Sequence, residues 1–176
     1  NEDALRLFLA SDEEFVIGVD EVGYGAWAGP LVVAGVVLRK GWGHPELKDS
    51  KLFKGSGRLT AHDKRKAVLQ TVIRPNEVCS VTKVVSPAIV DVAGVGDVLQ
   101  RTTKNVAEYL RQLYPNSVTI LDGIGGITLP GKFLYVPHAD NIVPAVSASS
   151  IMAKVARDDL MYALAVEYPA YGFEKH

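Results

Sequence analysis

The sequence predicts an α/β protein with a mixed five-stranded sheet flanked by helices. Short β-branched apolar segments alternate with longer segments whose apolar residues have helical spacing. Hydrophobic residues make up 48% of the 176 residues and charged residues 22%, which is enough to bury a core and excludes collagen-like, low-complexity and disordered classes. At this length we expect a single domain over 1–176, with 1–14 as an acidic N-terminal extension.

The predicted strands are short and bounded by turn residues. The first two, at 15–20 and 31–38, are separated by a glycine-rich turn and predict a hairpin. Further strands are expected at 77–85, 118–121 and 133–136. A hairpin followed by crossover helices produces a sheet with both antiparallel and parallel pairs.

Three helices are predicted from capping residues and apolar spacing. Thr60 and Asp63 resemble a capping box at the start of the first helix, which Pro75 ends. The second covers about 99–113, where apolar positions recur every three or four residues. The third is long and runs from 141 or 144 to 167.

Charge is unevenly distributed along the chain. The net charge is only -1, but 1–14 contributes -4, and the stretch 39–66 holds nine basic and three acidic residues. Such a basic stretch attracts phosphates. A run of charge is more often a solvated surface, so charge alone does not assign nucleic-acid binding.

The sequence shows no feature of a membrane or secreted protein. The longest apolar run has eight residues, where a membrane span needs about twenty. Acidic residues stand at the N-terminus, where a secretory signal carries basic ones. The single cysteine, Cys79, excludes an internal disulfide and a cysteine-based zinc site. We expect a cytoplasmic monomer that does not associate with membranes.

Four acidic residues follow apolar strands. Asp20 and Glu21 close the first strand, Asp122 closes the fourth, and Asp140 follows the fifth. In open α/β sheets, functional residues usually lie at the ends of the strands. Clustered carboxylates repel each other unless cations are present, and oxygen ligands without His or Cys suit magnesium or manganese. Two such ions are the standard clamp for attack on a phosphodiester, so we expect a two-metal site.

Each acid also has a simpler interpretation. An Asp before a helix, as Asp140 is, is more often an N-cap than a ligand, and Asp122 resembles an ordinary turn residue. Asp20 and Glu21 are neighbours on a strand, so their side chains point to opposite faces of the sheet. Both reach one site only if the strand ends or bends there, which the glycines that follow would allow, or if the backbone carbonyl of one of them also serves.

Five sequence blocks occur in the order typical of one known family. They are GVDEVGYGAWAGPLVVAGVVL, the Asp-Ser-Lys triplet at 49–51, ILDG, HADNIVPAVSASSIMAKVARD and YPAYGFEKH. Together they resemble type 2 ribonuclease H, the ribonuclease HII group, over 16–176. The resemblance implies a ribonuclease H-like fold and metal-dependent cleavage of RNA in RNA/DNA hybrids. It assigns two magnesium or manganese ions to Asp20, Glu21, Asp122 and Asp140.

The resemblance also implies a substrate and its contacts. The substrate is an RNA/DNA hybrid or a DNA duplex containing ribonucleotides, cut to leave 5′-phosphate and 3′-hydroxyl ends. The residues expected to contact it are Gly23, Tyr24, Gly25, Lys51, Lys154 and Arg157. Lys51 has the family's position for a phosphate contact. For Lys154 and Arg157 the alternative is a salt bridge to an acid such as Asp158.

The chain departs from the family at two places. Tyr24 replaces the usual arginine between two glycines, which predicts a weaker preference for an RNA-to-DNA junction. The family sequence usually continues beyond the position of His176 with a tyrosine that contacts the substrate, so we expect this chain to bind hybrid weakly. Two alternatives remain, a resolvase-type nuclease on the same fold and a non-catalytic hybrid-binding module.

Overall fold

The computed structural model describes residues 10–47, 50–56, 59–123 and 126–175. Asp49 of the Asp-Ser-Lys triplet, residues 1–9 of the predicted extension and His176 lie outside the described residues. The strands are β1 (Phe15–Val22), β2 (Leu31–Arg39), β3 (Cys79–Val85), β4 (Ser117–Asp122) and β5 (Phe133–Val136). The helices are α1 (Ala61–Val68), α2 (Pro87–Ala93), α3 (Val95–Leu113) and α4 (Pro144–Glu167).

The strands form one sheet in the order β3-β2-β1-β4-β5. β1 pairs with β2, and β2 with β3, in antiparallel fashion. β4 is parallel to both β1 and β5. The predicted mixed five-stranded sheet is therefore confirmed. Because β1, β4 and β5 point the same way, their C-terminal ends lie at one edge, which we call the carboxyl edge.

Helices cover both faces of the sheet. One apolar cluster lies between the sheet and α4, with α1 beside it, and a second lies between the sheet and α3. Apolar residues of α4 are buried, among them Val146, Ile151, Val155 and Met161. Within the described residues, no helix is both long enough and apolar enough to cross a membrane.

A glycine allows α4 to pack directly against β1. A Cβ atom built on Gly18 would lie 2.1 Å from the backbone carbon of Ala145. No side chain fits there, because a helix backbone cannot yield as a flexible side chain can. On the other face, a Cβ on Gly35 would meet Leu110 and Val106 side chains of α3 at 2.6 Å. The two glycines thus allow α4 and α3 to pack directly against the two faces of the sheet.

The end of the acidic extension is tied to the sheet by ion pairs. Glu13 accepts from Lys132, with Oε1 and Nζ 2.6 Å apart, and Glu14 pairs with Arg39. The hydrogen bond from Lys132 lowers the pKa of Glu13 to about 2. These pairs connect the start of β1 to the end of β2 and the start of β5.

The structure confirms one predicted helix start and corrects several boundaries. The Asp63 N–H donates to Thr60 Oγ1 over 3.1 Å and the Thr60 N–H to Asp63 Oδ2 over 2.8 Å, so the capping box at α1 is present. β1 continues to Val22 instead of ending at Asp20, and an eight-residue loop, 23–30, replaces the tight turn. α2 is not among the predicted helices, because none of its residues is buried and it carries no apolar periodicity.

The Gly18→Ala variant tests the close packing of α4 on β1. We expect its free energy of unfolding to fall by about 3 kcal/mol or more, at the upper end of overpacking costs, because the obstacle is backbone. Urea unfolding measures the loss. Gly96→Ala is the control, since a Cβ at Gly96 in α3 meets nothing within 4 Å. Equal stability of the two variants would show that α4 can move away from the sheet at no cost.

Candidate active site

Three of the four predicted acids border one cavity at the carboxyl edge. Asp20 and Glu21 of β1 and Asp122 of β4 line a space of about 390 Å³, together with Tyr24 of the loop. The pairing of β1 with β4 stops at Val19 opposite Leu121. The acids therefore follow directly after the last paired residues of two neighbouring strands.

Asp20 and Glu21 reach this edge from opposite faces of the sheet. Both belong to β1, where they pair with Ala34 and Val33 of β2, so the strand does not end between them. Asp20 lies on the face covered by α4, and its carboxylate is hydrogen-bonded to Ser150 of that helix. Glu21 alternates to the face covered by α3. The predicted end of β1 at Asp20 is wrong, because the strand continues to Val22 and the alternation of faces runs through both acids.

The carboxylates carry negative charge that the protein compensates only in part. Burial raises the pKa of Asp20 well above its usual value, and the nearby Glu21 and Asp122 raise it further, against the hydrogen bond from Ser150. Burial also raises the pKa of Glu21, with a further contribution from Asp122, and the charge of Lys51 opposes this shift. Ionised carboxylates in such surroundings are stabilised by a cation.

Asp140 lies next to this group but lines a different, smaller cavity. It is buried in a 3₁₀ turn, Ala139–Asn141, and its Oδ1 accepts a hydrogen bond from Asn141 Nδ2 over 3.1 Å. Asp122 Oδ1 accepts the Ala139 N–H over 2.7 Å, which joins the end of β4 to this turn. The N-cap of α4 is Val143, so Asp140 is not an N-cap.

The donor atoms fit a hard divalent cation, but they are not drawn together around one point. All four side chains offer carboxylate oxygens, the ligands that magnesium and manganese prefer. Among the residues that the structure describes, no three Asp, Glu, His or Cys side chains form a group that could hold a metal ion. The opposite orientations of Asp20 and Glu21 and the separate cavity at Asp140 are in line with this.

Lys51 is held near the acids by a short turn that joins two helices. It belongs to the 3₁₀ turn Ser50–Leu52 and is exposed. The Ser50 hydroxyl lies 3.1 Å from the Ser150 hydroxyl of α4, and the Ser50 carbonyl accepts Arg65 Nε of α1 over 2.7 Å. Lys51 is therefore exposed, and its charge acts on the Glu21 carboxylate.

The structure assigns Lys154 and Arg157 to protein contacts. Lys154 Nζ lies 2.6 Å from Asp158 Oδ1, which is the salt bridge that was the alternative interpretation. Arg157 is only 4% exposed, so the expectation that it faces the substrate is wrong. Its Nε donates to the Pro30 carbonyl over 3.1 Å and its Nη2 to the Ala28 carbonyl over 2.8 Å. Arg157 thus stabilises the loop at 23–30, the glycine loop, through hydrogen bonds to its backbone.

Comparisons with known proteins show the family of the chain. The family model for ribonuclease HII matches residues 17–176. The chain belongs to the ribonuclease HII family. A ribonuclease HII of Sulfurovum sp. is 38% identical over 171 residues, covering 96% of this chain and 81% of that protein.

Solved structures share the fold at lower identity. The ribonuclease H2 of Pyrococcus horikoshii OT3 matches with a TM-score of 0.66 at 24% identity, over 90% of this chain and 79% of that one. A ribonuclease HIII, Bst-RNase HIII, in complex with Mn²⁺, matches with a TM-score of 0.67 at 17% identity, over 92% of this chain and 57% of that one. The fold of this ribonuclease HII is therefore that of the ribonuclease H-like enzymes.

Two residues have supporting roles that the sequence did not reveal: Ser150 had no predicted role, and Arg157 was expected at the substrate instead. Ser150 holds Asp20, and Arg157 holds the loop. Both lie on the face of α4 that also carries Ser147 and Lys154, at spacings of three and four residues. That spacing marks them as a polar stripe on a buried helix, which is the signal that could have drawn attention to them.

We expect Arg157→Met to loosen the loop of this ribonuclease HII. The variant leaves the carbonyls of Ala28 and Pro30 without a donor, a loss of about 2 to 4 kcal/mol in the free energy of unfolding. Hydrogen exchange of the amides at 23–29 should become faster than in the parent protein. Arg157→Lys, which keeps the charge and one donor nitrogen, is the control. Its exchange rates should lie between those of the parent protein and those of Arg157→Met. Unchanged exchange in the Met variant would mean that the loop holds its shape without the guanidinium.

Proposed function

We propose that this ribonuclease HII is a metal-dependent endonuclease that hydrolyses the RNA strand of RNA/DNA hybrids and of DNA duplexes containing ribonucleotides. Cleavage would leave 5′-phosphate and 3′-hydroxyl ends. The observation that carries the proposal is the cavity shared by Asp20, Glu21 and Asp122 at the carboxyl edge. Family membership supports the coarser assignment, ribonuclease H activity on RNA/DNA hybrids.

The residues that would hold two magnesium or manganese ions are Asp20, Glu21, Asp122 and Asp140. When bound, such ions activate the attacking water and stabilise the leaving oxygen of a phosphodiester. The raised pKa values of Asp20 and Glu21 support a cation here, because both shifts arise from burial and from neighbouring negative charge. The Mn²⁺ complex of Bst-RNase HIII supports a divalent ion on the same fold.

The chain's own groups would bind and orient the substrate. Lys51, exposed beside Glu21, would contact a phosphate near the carboxylates. Tyr24 borders the same cavity and would meet the nucleotide there. Backbone amides of the glycine turn at Gly23 and Gly25 would contact the ribose 2′-hydroxyl, the group that separates RNA from DNA.

Serine hydroxyls near the acids do not act as nucleophiles in this proposal. Ser149 Oγ donates to backbone carbonyls of its own helix, Ala145 at 3.1 Å and Val146 at 2.9 Å. Ser150 is engaged with Asp20 and Ser50. A serine nucleophile needs a partner base to take its proton, and these hydroxyls have structural partners instead.

The two alternative functions are less well supported. Membership of the ribonuclease HII family argues against a resolvase-type nuclease. A module that only binds hybrid has no use for three carboxylates in one cavity, since they repel the phosphates of a nucleic acid.

Three labelled duplexes distinguish these functions. They are an all-DNA duplex, a long RNA/DNA hybrid and a DNA duplex with one embedded ribonucleotide, each incubated with magnesium, manganese or EDTA. We expect cleavage of the two ribonucleotide-containing duplexes with either metal and none with EDTA. Cleavage of the all-DNA duplex would contradict the proposal, and so would binding of hybrid without cleavage in any metal.

We expect Asp20→Asn to abolish metal-dependent cleavage without weakening the metal-free fold. The pKa of Asp20 is raised on folding, so its ionised form opposes folding at pH values above the unfolded-state pKa. The neutral variant should therefore be as stable as the parent protein or more stable at neutral pH. The difference should vanish as the pH falls below about 4, where Asp20 is protonated in both states.

Cleavage assays and urea unfolding across pH check both parts of this prediction. Asp91→Asn is the matched control, because Asp91 is an exposed residue of α2 that does not line the cavity. It should retain cleavage and show no comparable gain in stability. Full activity in Asp20→Asn would remove Asp20 from the site.

Tyr24→Arg should increase the preference for an embedded ribonucleotide over a long hybrid. Tyr24 is 51% exposed and borders the cavity, so an arginine there could bind the phosphate beside the ribose that is read. The measurement is the ratio of kcat/KM for the two duplexes, with Tyr24→Phe as the control for loss of the tyrosine hydroxyl. If the parent protein already cuts only at the junction, the backbone amides read it without this side chain.

A further inference from the structure

An indole ring is fully exposed on the loop that borders the carboxylates. The relative exposure of Trp27 is 104%, so its ring packs against nothing in the protein. Trp42, the second tryptophan of the chain, is partly buried against the apolar core. Tryptophan is highly buried on average, and exposing its whole surface to water has a large hydrophobic cost. A ring displayed in this way indicates a binding role.

The loop backbone that carries Trp27 is fixed. Gly23 and Gly29 have φ values of +101° and +84°, which side-chain-bearing residues rarely adopt. A Cβ at either glycine would also collide, with the Pro30 carbonyl at 2.6 Å and with Met161 at 2.3 Å. Arg157 donates hydrogen bonds to the carbonyls of Ala28 and Pro30, which follow Trp27 in the chain. The exposure of the ring is thus imposed by the loop shape and is not the result of an unstructured segment.

Trp27 stands close to the proposed reaction site along the chain. Tyr24, three residues earlier, lines the cavity of the carboxylates, and the Ala26 N–H donates to the Gly23 carbonyl over 3.2 Å to close a turn between them. The other side chains of this exposed segment are small, Ala26 and Ala28. The apolar surface therefore consists of single aromatic rings, which suits stacking on a nucleotide better than the broad patch that a protein partner needs.

The loop has no cation with which to bind phosphate. Residues 22–31, VGYGAWAGPL, contain neither Lys nor Arg. A side-chain contact from this loop must therefore use apolar and aromatic surface, which fits the sugar and base faces of a nucleic acid better than its phosphates. Basic residues elsewhere, such as Lys51, supply the ionic part.

We propose that Trp27 is a substrate-contacting residue whose indole packs against a sugar or base of the duplex beside the cleaved nucleotide. This inference rests on the proposed function, because the duplex must occupy the cavity for the ring to reach it. Stacking releases few counterions, so the contribution of Trp27 to affinity should not depend on salt. That property separates it from an ionic contact.

Affinity measurements at several salt concentrations test the contact. Trp27→Ala should weaken binding of a labelled hybrid about five- to a hundredfold, by the same factor at each salt concentration. Trp27→Phe should retain part of the affinity. Lys51→Ala is the comparison variant: it should weaken binding most at low salt and reduce the slope of log affinity against log salt by about one. Anisotropy in EDTA follows binding without cleavage, and KM and kcat with magnesium follow turnover, with the loss expected in KM.

Fluorescence locates the contact, because each tryptophan can be observed alone. Trp42→Phe leaves Trp27 as the only indole, and Trp27→Phe leaves Trp42, which follows β2 at the edge of the sheet opposite to the carboxylates. Titration with unlabelled hybrid should change the emission of the Trp42→Phe protein. The Trp27→Phe protein should show little change at matched saturation.

The outcomes separate this inference from the proposed function. If the parent protein binds and cleaves hybrid while Trp27→Ala does so equally well, the inference is wrong and the proposed function stands. A fall in affinity with a changed salt slope, or no change in Trp27 emission on saturation, also overturns it, since the ring then does not stack. If the parent protein neither binds nor cleaves hybrid, the proposed function is wrong and the inference with it.

Discussion

The direct contact between the backbone of α4 and the backbone of β1 at Gly18 organises the site. Because no side chain separates them, the helix lies close enough for Ser150 to bond the Asp20 carboxylate. The same helix places Arg157 under the glycine loop two turns further on. The 3₁₀ turn that holds Asp140 leads directly into this helix. One packing contact thus sets the positions of two acids and of the loop that borders them.

The buried, ionised carboxylates lower the stability of the folded protein. Burial and mutual repulsion raise the pKa of Asp20 and Glu21, and for Glu21 a backbone hydrogen bond and the charge of Lys51 compensate in part. Close packing elsewhere must outweigh this cost, and the two apolar clusters on either side of the sheet provide it. A site that is strained by its own charge is suited to binding cations, since the ions remove the repulsion.

In the loop at 23–30, the residue that fixes the backbone differs from the residues that are exposed. Arg157 is buried, and both of its bonds are to backbone carbonyls, so it determines the path of the chain. Tyr24 and Trp27 are exposed on that path. A long cationic side chain inside a protein is costly unless its donors are satisfied, and the loop carbonyls satisfy them. The arginine thus stabilises the loop backbone, while the exposed surface of the loop carries the aromatic rings of Tyr24 and Trp27.

Local patterns in the sequence were sufficient for most of the framework. The β-branched runs mark the strands, Thr60 and Asp63 mark the start of α1, and the acids that follow apolar strands mark the carboxyl edge. These features depend on periodicity and on hydrogen bonds between near neighbours, which a single sequence displays. By contrast α2, whose residues are all outside the core, has no such pattern.

Tertiary structure alone decided how the site is arranged. Arg157 and Pro30 are 127 residues apart, so no local pattern could show that one holds the other. The continuation of β1 through Asp20 and Glu21 follows from pairing with β2, which keeps the two acids on opposite faces. Sequence by itself indicated which acids follow the strands, and the parallel pairing of β1 with β4 brings Asp20, Glu21 and Asp122 to one cavity. Their orientation depends on which helix covers each face, and only the packed structure contains that information.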